Sequence, residues 1–142
     1  MNTQQVQLVQ SSFAQVKPIA ATAAELFYGR LFEIAPEMRA LFKGDMQRQG
    51  AMLMSVIGTA VNGLSRPDSI IPVVRALGAR HVAYGVKDDH YDIVGSALLW
   101  TLKQGLGEAF TDDVMDAWVA AYTLLANVMQ QGARDAAMPK AA

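Results

Sequence analysis

No cysteine occurs in the 142 residues, so disulfides, thiolate metal sites and cysteine nucleophiles are excluded, as befits a reducing cytoplasm. Charge is scarce and balanced: 18% of the residues are charged and the net charge is -1. Such a chain has no electrostatic footprint for nucleic acid and no basic segment for an anionic membrane. No apolar run reaches about 18 residues, and the opening MNTQQVQLVQSS lacks a basic start followed by an apolar stretch. Neither a membrane span nor a signal peptide is expected, and we expect a cytoplasmic protein. Glycine-rich phosphate loops, HExxH, GxSxG, EF-hand loops and helical Glu-x-x-His pairs are all missing. Histidine is limited to His81 and His90.

What the chain has in quantity is apolar surface. Hydrophobic residues make up 52% of it, and its length suits one domain, residues 1–142, with room in the core for a cofactor-sized ligand. The apolar positions recur at three and four throughout, with no strand alternation and no repeat. Val6, Val9, Phe13 and Val16 predict a first helix capped by Thr3 and ending before Pro18. A second opens at Pro18, turns Ala23, Leu26, Phe27, Leu31 and Ile34 inward with Tyr28 and Phe32 one step round, and stops at Pro36. A short turn, PEMRALF, then delivers Leu41 and Phe42 ahead of a loop at Lys43 to Asp45.

From Met46 to Leu64 the pattern is again helical, with Leu53, Val56, Ile57, Ala60, Val61 and Leu64 inside and Gln49 one turn before Leu53. Gly58 and Gly63 allow a crossing helix to approach. Asp68 or Ser69 is expected to cap the next helix, which carries His81 and stops at Gly85. Asp88 and Asp89 favour the start of another, which runs to the GLG at 105–107. The last opens at Thr111, turns Val114, Trp118, Tyr122, Leu125 and Met129 inward and fades after Gly132, leaving a frayed tail at 133–142. The expected architecture is all-α: six to seven helices of unequal length, packed at large crossing angles around a pocket.

His81 shares an apolar face with Val74, Leu77 and Tyr84. Two readings stand at this point: a core histidine satisfied by a backbone carbonyl, or a metal ligand. One protein ligand holds a metal weakly unless the metal arrives in a macrocycle that supplies the other donors, a condition haem meets.

ELFYGRLFEIAPEMRALF, the helix with Gln49 and Leu53, LGARHVAYGVKDDHYDIVG and GEAFTDDVMDAWVAAYTLLANVM resemble, over residues 3 to 132, the bacterial single-domain haemoglobins and the globin domain of flavohaemoglobins. The resemblance implies a globin fold around haem b. It makes His81 the proximal iron ligand, Phe42 the phenylalanine packed on the haem plane, and Tyr91 the tyrosine that approaches the proximal histidine. Tyr28, Gln49 and Leu53 become the distal residues that contact bound oxygen. A one-residue slip in 44–52 would bring Arg48 and Met52 to the distal positions instead. Two departures from the flavohaemoglobin pattern stand out: Ala133 occupies the place of a proximal glutamate, and no reductase domain accompanies the globin in these residues.

The function implied is reversible, high-affinity binding of oxygen at ferrous iron through hydrogen bonds from Tyr28 and Gln49, for delivery or storage. Nitric oxide dioxygenation, a detoxification, follows if a separate reductase supplies electrons. Nitric oxide and carbon monoxide are the other small ligands expected, and no bis-histidine resting state is expected because neither histidine lies on the distal helix. His81 is expected to give its second ring N–H to a backbone carbonyl near Leu77. A haem-based sensor or redox module signalling to a partner is the alternative function.

Overall fold

The computed structural model describes residues 1–83 and 85–137, apart from the side chains of Ala83 and Ala137. Tyr84, expected on the His81 face, and residues 138–142 lie outside them. The described residues form six α-helices and no sheet: α1 Thr3–Val16, α2 Ala20–Ile34, α3 Met46–Gly63, α4 Pro67–Ala83, α5 Asp88–Leu106 and α6 Asp112–Ala137. Short 3₁₀ turns at Lys17–Ile19, Pro36–Leu41 and Gly107–Ala109 join α1 to α2 and sit at two of the corners.

The termini follow local chemistry, with three adjustments to the sequence reading. Asn2, not Thr3, caps α1, because its carboxamide oxygen accepts the Gln5 N–H at 2.8 Å while the Gln5 side chain accepts the Asn2 N–H at 3.0 Å. Helix α4 begins at Pro67, which needs no N–H partner in a first turn, so Asp68 and Ser69 lie inside the helix rather than capping it. The Ser69 hydroxyl instead donates back to the Arg66 carbonyl. Helix α6 runs through Gly132 to Ala137, so the expected fraying at 133 is replaced by further helix. Elsewhere the signals hold: Thr111 Oγ accepts the Val114 N–H, and Gly85 and Gly107 leave α4 and α5 with φ of 89° and 56°, where a side chain would be strained.

Two apolar clusters hold the helices together. In one, Val9, Phe13 and Val16 of α1 meet Val61 and Leu64 of α3, Leu102 of α5 and Val114, Ala117, Trp118 and Ala121 of α6. In the other, Phe27, Tyr28 and Leu31 of α2 meet Met38 and Ala97, with Phe32, Phe42 and Leu53 packed alongside. Ile34 and Val56, expected inside, are exposed, Val56 by 42%. The three-four spacing identifies an apolar stripe without saying that another helix covers its whole width.

Helices α4 and α6 meet backbone to backbone. A Cβ on Gly78 would collide with the Met129 carbonyl, and one on Gly132 with the Arg75 carbonyl, so each helix offers the other a glycine. The contact lies within one turn of His81.

Candidate functional site

His81 occupies the last turn of α4, half-buried, with Nδ1 2.8 Å from the Leu77 carbonyl oxygen. A carbonyl can only accept, so Nδ1 carries the proton and Nε2 presents a lone pair, the tautomer that coordinates a metal. Burial holds the imidazole pKa below its ordinary value; the Leu77 carbonyl opposes that shift and the neighbouring Arg80 charge adds to it. The ring is therefore set up as a neutral donor, and the Leu77 partner is the one expected from the sequence. His90 serves another purpose: its Nδ1 accepts the Lys87 N–H at 3.0 Å and closes the start of α5.

Tyr28 lies buried on α2 at the centre of an aromatic group. Its ring meets Phe27 and Phe42 edge to face, at centroid distances of 5.1 and 5.2 Å, and stacks on Phe32 at 5.9 Å. Burial raises the phenol pKa, and a hydrogen bond with the Gln49 side chain takes back part of the rise. The phenol thus keeps its proton, and remains a donor, throughout the physiological range.

Gly50 explains how Gln49 arrives there. A Cβ at this buried position would lie 2.8 Å from Ala24 Cβ, so the glycine lets α3 press against α2 one turn before Tyr28. Gln49 and Leu53 are half-buried on the inner side, whereas Arg48 is exposed and Met52 is 55% exposed. The amide lies close enough to the Tyr28 phenol to lower its pKa.

Phe42 is half-buried at the corner ahead of α3, edge to face with Phe32 as well as Tyr28. The adjoining Leu41 reaches within 3.4 Å of the Cβ position of Gly85, which brings this corner to the end of the His81 helix. Tyr91 is buried in the first turn of α5, and its pKa is raised by burial and then by Asp88. Its carbonyl accepts the Tyr122 hydroxyl at 2.5 Å. The Tyr122 ring occupies the space over Gly95, where a Cβ would meet it at 2.7 Å.

Thus Tyr28, Gln49, Leu53 and Phe42 come together, His81 stands on the helix whose end touches their corner, and Tyr91 is tied to α6. The sequence reading placed Tyr122 in the core and missed its hold on Tyr91. It also missed Gly50, Gly78, Gly95 and Gly132 as close-approach points. Glycine within a helix costs about 1 kcal/mol relative to alanine, and that cost was the available signal.

No group of three or more His, Asp or Glu side chains could hold a metal ion among the described residues. A single half-buried neutral imidazole instead suits iron already held in a macrocycle. Nor is any helix among the described residues long and apolar enough to cross a membrane.

Comparison with known proteins bears on this arrangement directly. The globin family model matches residues 25–129. A flavohemoprotein of Bordetella parapertussis is 34% identical over 125 residues, covering 86% of this chain and 31% of its own length. The flavohemoprotein of Bacillus subtilis is 33% identical over 131 residues, covering 89% and 33%. The chain thus spans about a third of the length of these curated relatives. Among solved structures, an engineered carbene transferase built on a Rhodothermus marinus protein assigned as a nitric oxide dioxygenase has a TM-score of 0.85 at 27% identity, covering 95% of this chain and 94% of that one. A bacterial globin from Campylobacter jejuni has a TM-score of 0.82 over 94% and 97%; at 23% identity this likeness speaks for the fold. The chain belongs to the globin family and is homologous to the globin domains of flavohemoproteins, a kinship that implies haem b.

Proposed function

We propose that the protein is a haem b globin that binds oxygen reversibly and with high affinity, and that it dioxygenates nitric oxide to nitrate when a separate reductase supplies electrons. When bound, the haem would supply a ferrous iron able to bind a diatomic gas. His81 would hold it through Nε2, with the Leu77 carbonyl fixing the ring's tautomer and direction. Phe42 would pack on one face, and Leu53 and Val56 of α3 with Leu77 and Val82 of α4 would offer apolar walls. Tyr91 would approach His81 from the proximal side without the carboxylate that Ala133 replaces, so His81 would act as a neutral imidazole.

What carries this reading is a buried, protonated Tyr28 phenol at the centre of the aromatic corner, with Gln49 beside it. With haem bound, the phenol and the amide would offer donors to a gas that gains negative charge on binding. Each such hydrogen bond is worth about 1.5–3 kcal/mol when its partner is charged. Carbon monoxide gains less charge and should gain less from the pair. The Rhodothermus marinus relative, assigned as a nitric oxide dioxygenase, supports the same chemistry.

The test is stopped-flow gas release from the reduced, haem-loaded protein. Tyr28→Phe should raise the oxygen off-rate by about 10- to 100-fold, the kinetic equivalent of one such bond, with a much smaller effect on carbon monoxide. An unchanged oxygen off-rate would overturn the distal assignment.

A further inference from the structure

Helix α4 is tied to the rest of the molecule chiefly through α6, the helix it packs on most extensively among the described residues. Two backbone approaches of opposite sense make the tie. A Cβ on Gly78 of α4 would collide with the Met129 carbonyl of α6, and one on Gly132 of α6 with the Arg75 carbonyl of α4. Arg75 and Gly78 are one turn apart, as are Met129 and Gly132, so a turn of each helix is seated against a turn of the other, with the helices antiparallel. We propose that Gly78 and Gly132 are positioning residues for His81, fixing where the last turn of α4 stands and so where the imidazole Nε2 points. The proposal rests on the reading of His81 as the iron ligand and adds what sets its place.

Place and stiffness carry it. Gly78 follows Leu77, whose carbonyl accepts the His81 Nδ1–H at 2.8 Å, so the seat and the ring's hydrogen-bond partner lie on adjacent residues. Both glycines are buried. In each approach the carbonyl oxygen lies where the glycine Cβ would stand, the geometry of a Cα–H···O=C contact between helices. A contact between side chains is relieved by a change of rotamer, whereas one between backbones yields only when a whole helix moves. The first half of α4 is a weaker anchor. Pro72 lies inside it and, lacking an N–H, cannot donate to the Asp68 carbonyl, so this half has one backbone tie fewer. Beyond His81 the chain turns off at Gly85, where the Val86 N–H meets the His81 carbonyl at 3.1 Å. Tyr28, Gln49 and Phe42 belong to α2, α3 and the corner between them, so a shift of α4 on α6 changes where His81 stands against that group. A misplacement of about 1 Å is enough to cost an aligned group about 100-fold in its chemistry.

The experiment compares Gly132→Ala with Ser12→Ala in the reduced, gas-free, haem-loaded protein. Position 132 is on a different helix from His81, so an effect at the iron has to pass through the seat. Resonance Raman spectroscopy should show the iron–histidine stretching band of Gly132→Ala displaced or split relative to the unsubstituted protein. Haem transfer to an excess of a haem-scavenging protein should run about tenfold faster, the lower end of what losing a group that orients a metal-bound histidine costs. Ser12→Ala, which weakens the Trp118 cluster instead, should leave both band and rate unchanged, so a general loss of stability does not imitate the effect. An unchanged band and transfer rate in folded Gly132→Ala would overturn the proposal. A band missing from the unsubstituted protein would instead overturn His81 as the iron ligand. Should Gly132→Ala fold poorly, amide hydrogen exchange of the unsubstituted protein decides the matter without a variant and without reading the iron. Residues 78–81 and 129–132 should open with matching free energies, as one unit. Faster exchange at 78–81 would show α4 moving free of α6 and overturn the seat.

Discussion

The two apolar clusters use similar residues to different ends. Around Phe13 and Trp118 the core closes on itself: the rings stand 6.4 Å apart, and the Trp118 indole N–H donates to Ser12 Oγ at 2.8 Å, which in turn donates to the Leu8 carbonyl at 2.6 Å. Around Tyr28 the packing is open on one side. Phe32, Phe42 and Leu53 are only half-buried, while Met52 and Val56 on the same helix as Leu53 are exposed. In the first cluster every polar group serves another protein atom. In the second, the Tyr28 phenol keeps its proton beside apolar surface that stays partly exposed, so the two halves of one small domain differ in how fully they close.

Substitutions should separate these halves. The largest effect is expected from His81→Ala: the purified protein should lose nearly all of its haem absorbance, since the other histidine, His90, is engaged at the start of α5, while far-ultraviolet circular dichroism keeps its helical form. Retention of haem at the original level would remove His81 from its assigned role. Next comes the strut between α4 and α6. Gly132→Ala places a methyl against the Arg75 carbonyl, and urea unfolding should show a loss of about 3 kcal/mol, despite the roughly 1 kcal/mol that alanine gains in a helix. Gly29→Ala is the control, because nothing lies within 4 Å of its Cβ position; there the helical gain should appear as a small increase in stability. A smaller loss, about 2 kcal/mol, is expected of Ser12→Ala, which leaves the buried Trp118 N–H without its acceptor. Chemical denaturation measures it. Because this change falls in the closed cluster, the carbon monoxide spectrum and the oxygen off-rate should stay as they were.

The helices and their caps at Thr111, Gly85 and Gly107 were legible from the sequence because such features depend on neighbours within four residues. Asn2 prevailed over Thr3 as a cap because Gln5 sits where it can answer Asn2, a reciprocity that the sequence also contained. Val56 and Ile34 were misread for a different reason: periodicity reports an apolar face, whereas burial depends on which partner lies across it. The inner pair Gln49 and Leu53 was readable by spacing, but its register against Arg48 and Met52 turns on Gly50 meeting Ala24, a contact between separate helices. The Tyr122 hydroxyl and the Gly78–Met129 approach are likewise products of the fold that no local pattern announces. His81 stood out by scarcity alone, and its Leu77 partner followed from the i to i−4 geometry of a helix.

The smallest expected effect sharpens the comparison with a single titration series. Burial raises the phenol pKa of Tyr28, Tyr91 and Tyr122, in Tyr122 with further contributions from Tyr91 and Asp92. An unfolded phenol ionises near pH 10. Above that pH the unfolded chain has released protons that the folded chain still holds, so the unfolded state binds fewer protons and stability must fall as pH rises. Below about pH 10 both states keep their phenolic protons, and the three tyrosines add no slope. Urea midpoints should therefore show no tyrosine contribution below that point and decline above it. The decline should be shallower in Tyr122→Phe, which removes the most strongly shifted of the three, whereas Ser12→Ala should lower the whole curve without changing its slope. A decline of equal steepness in Tyr122→Phe would show that its hydroxyl is not protected by the fold, and with it would go the hydrogen bond that ties the start of α5 to α6.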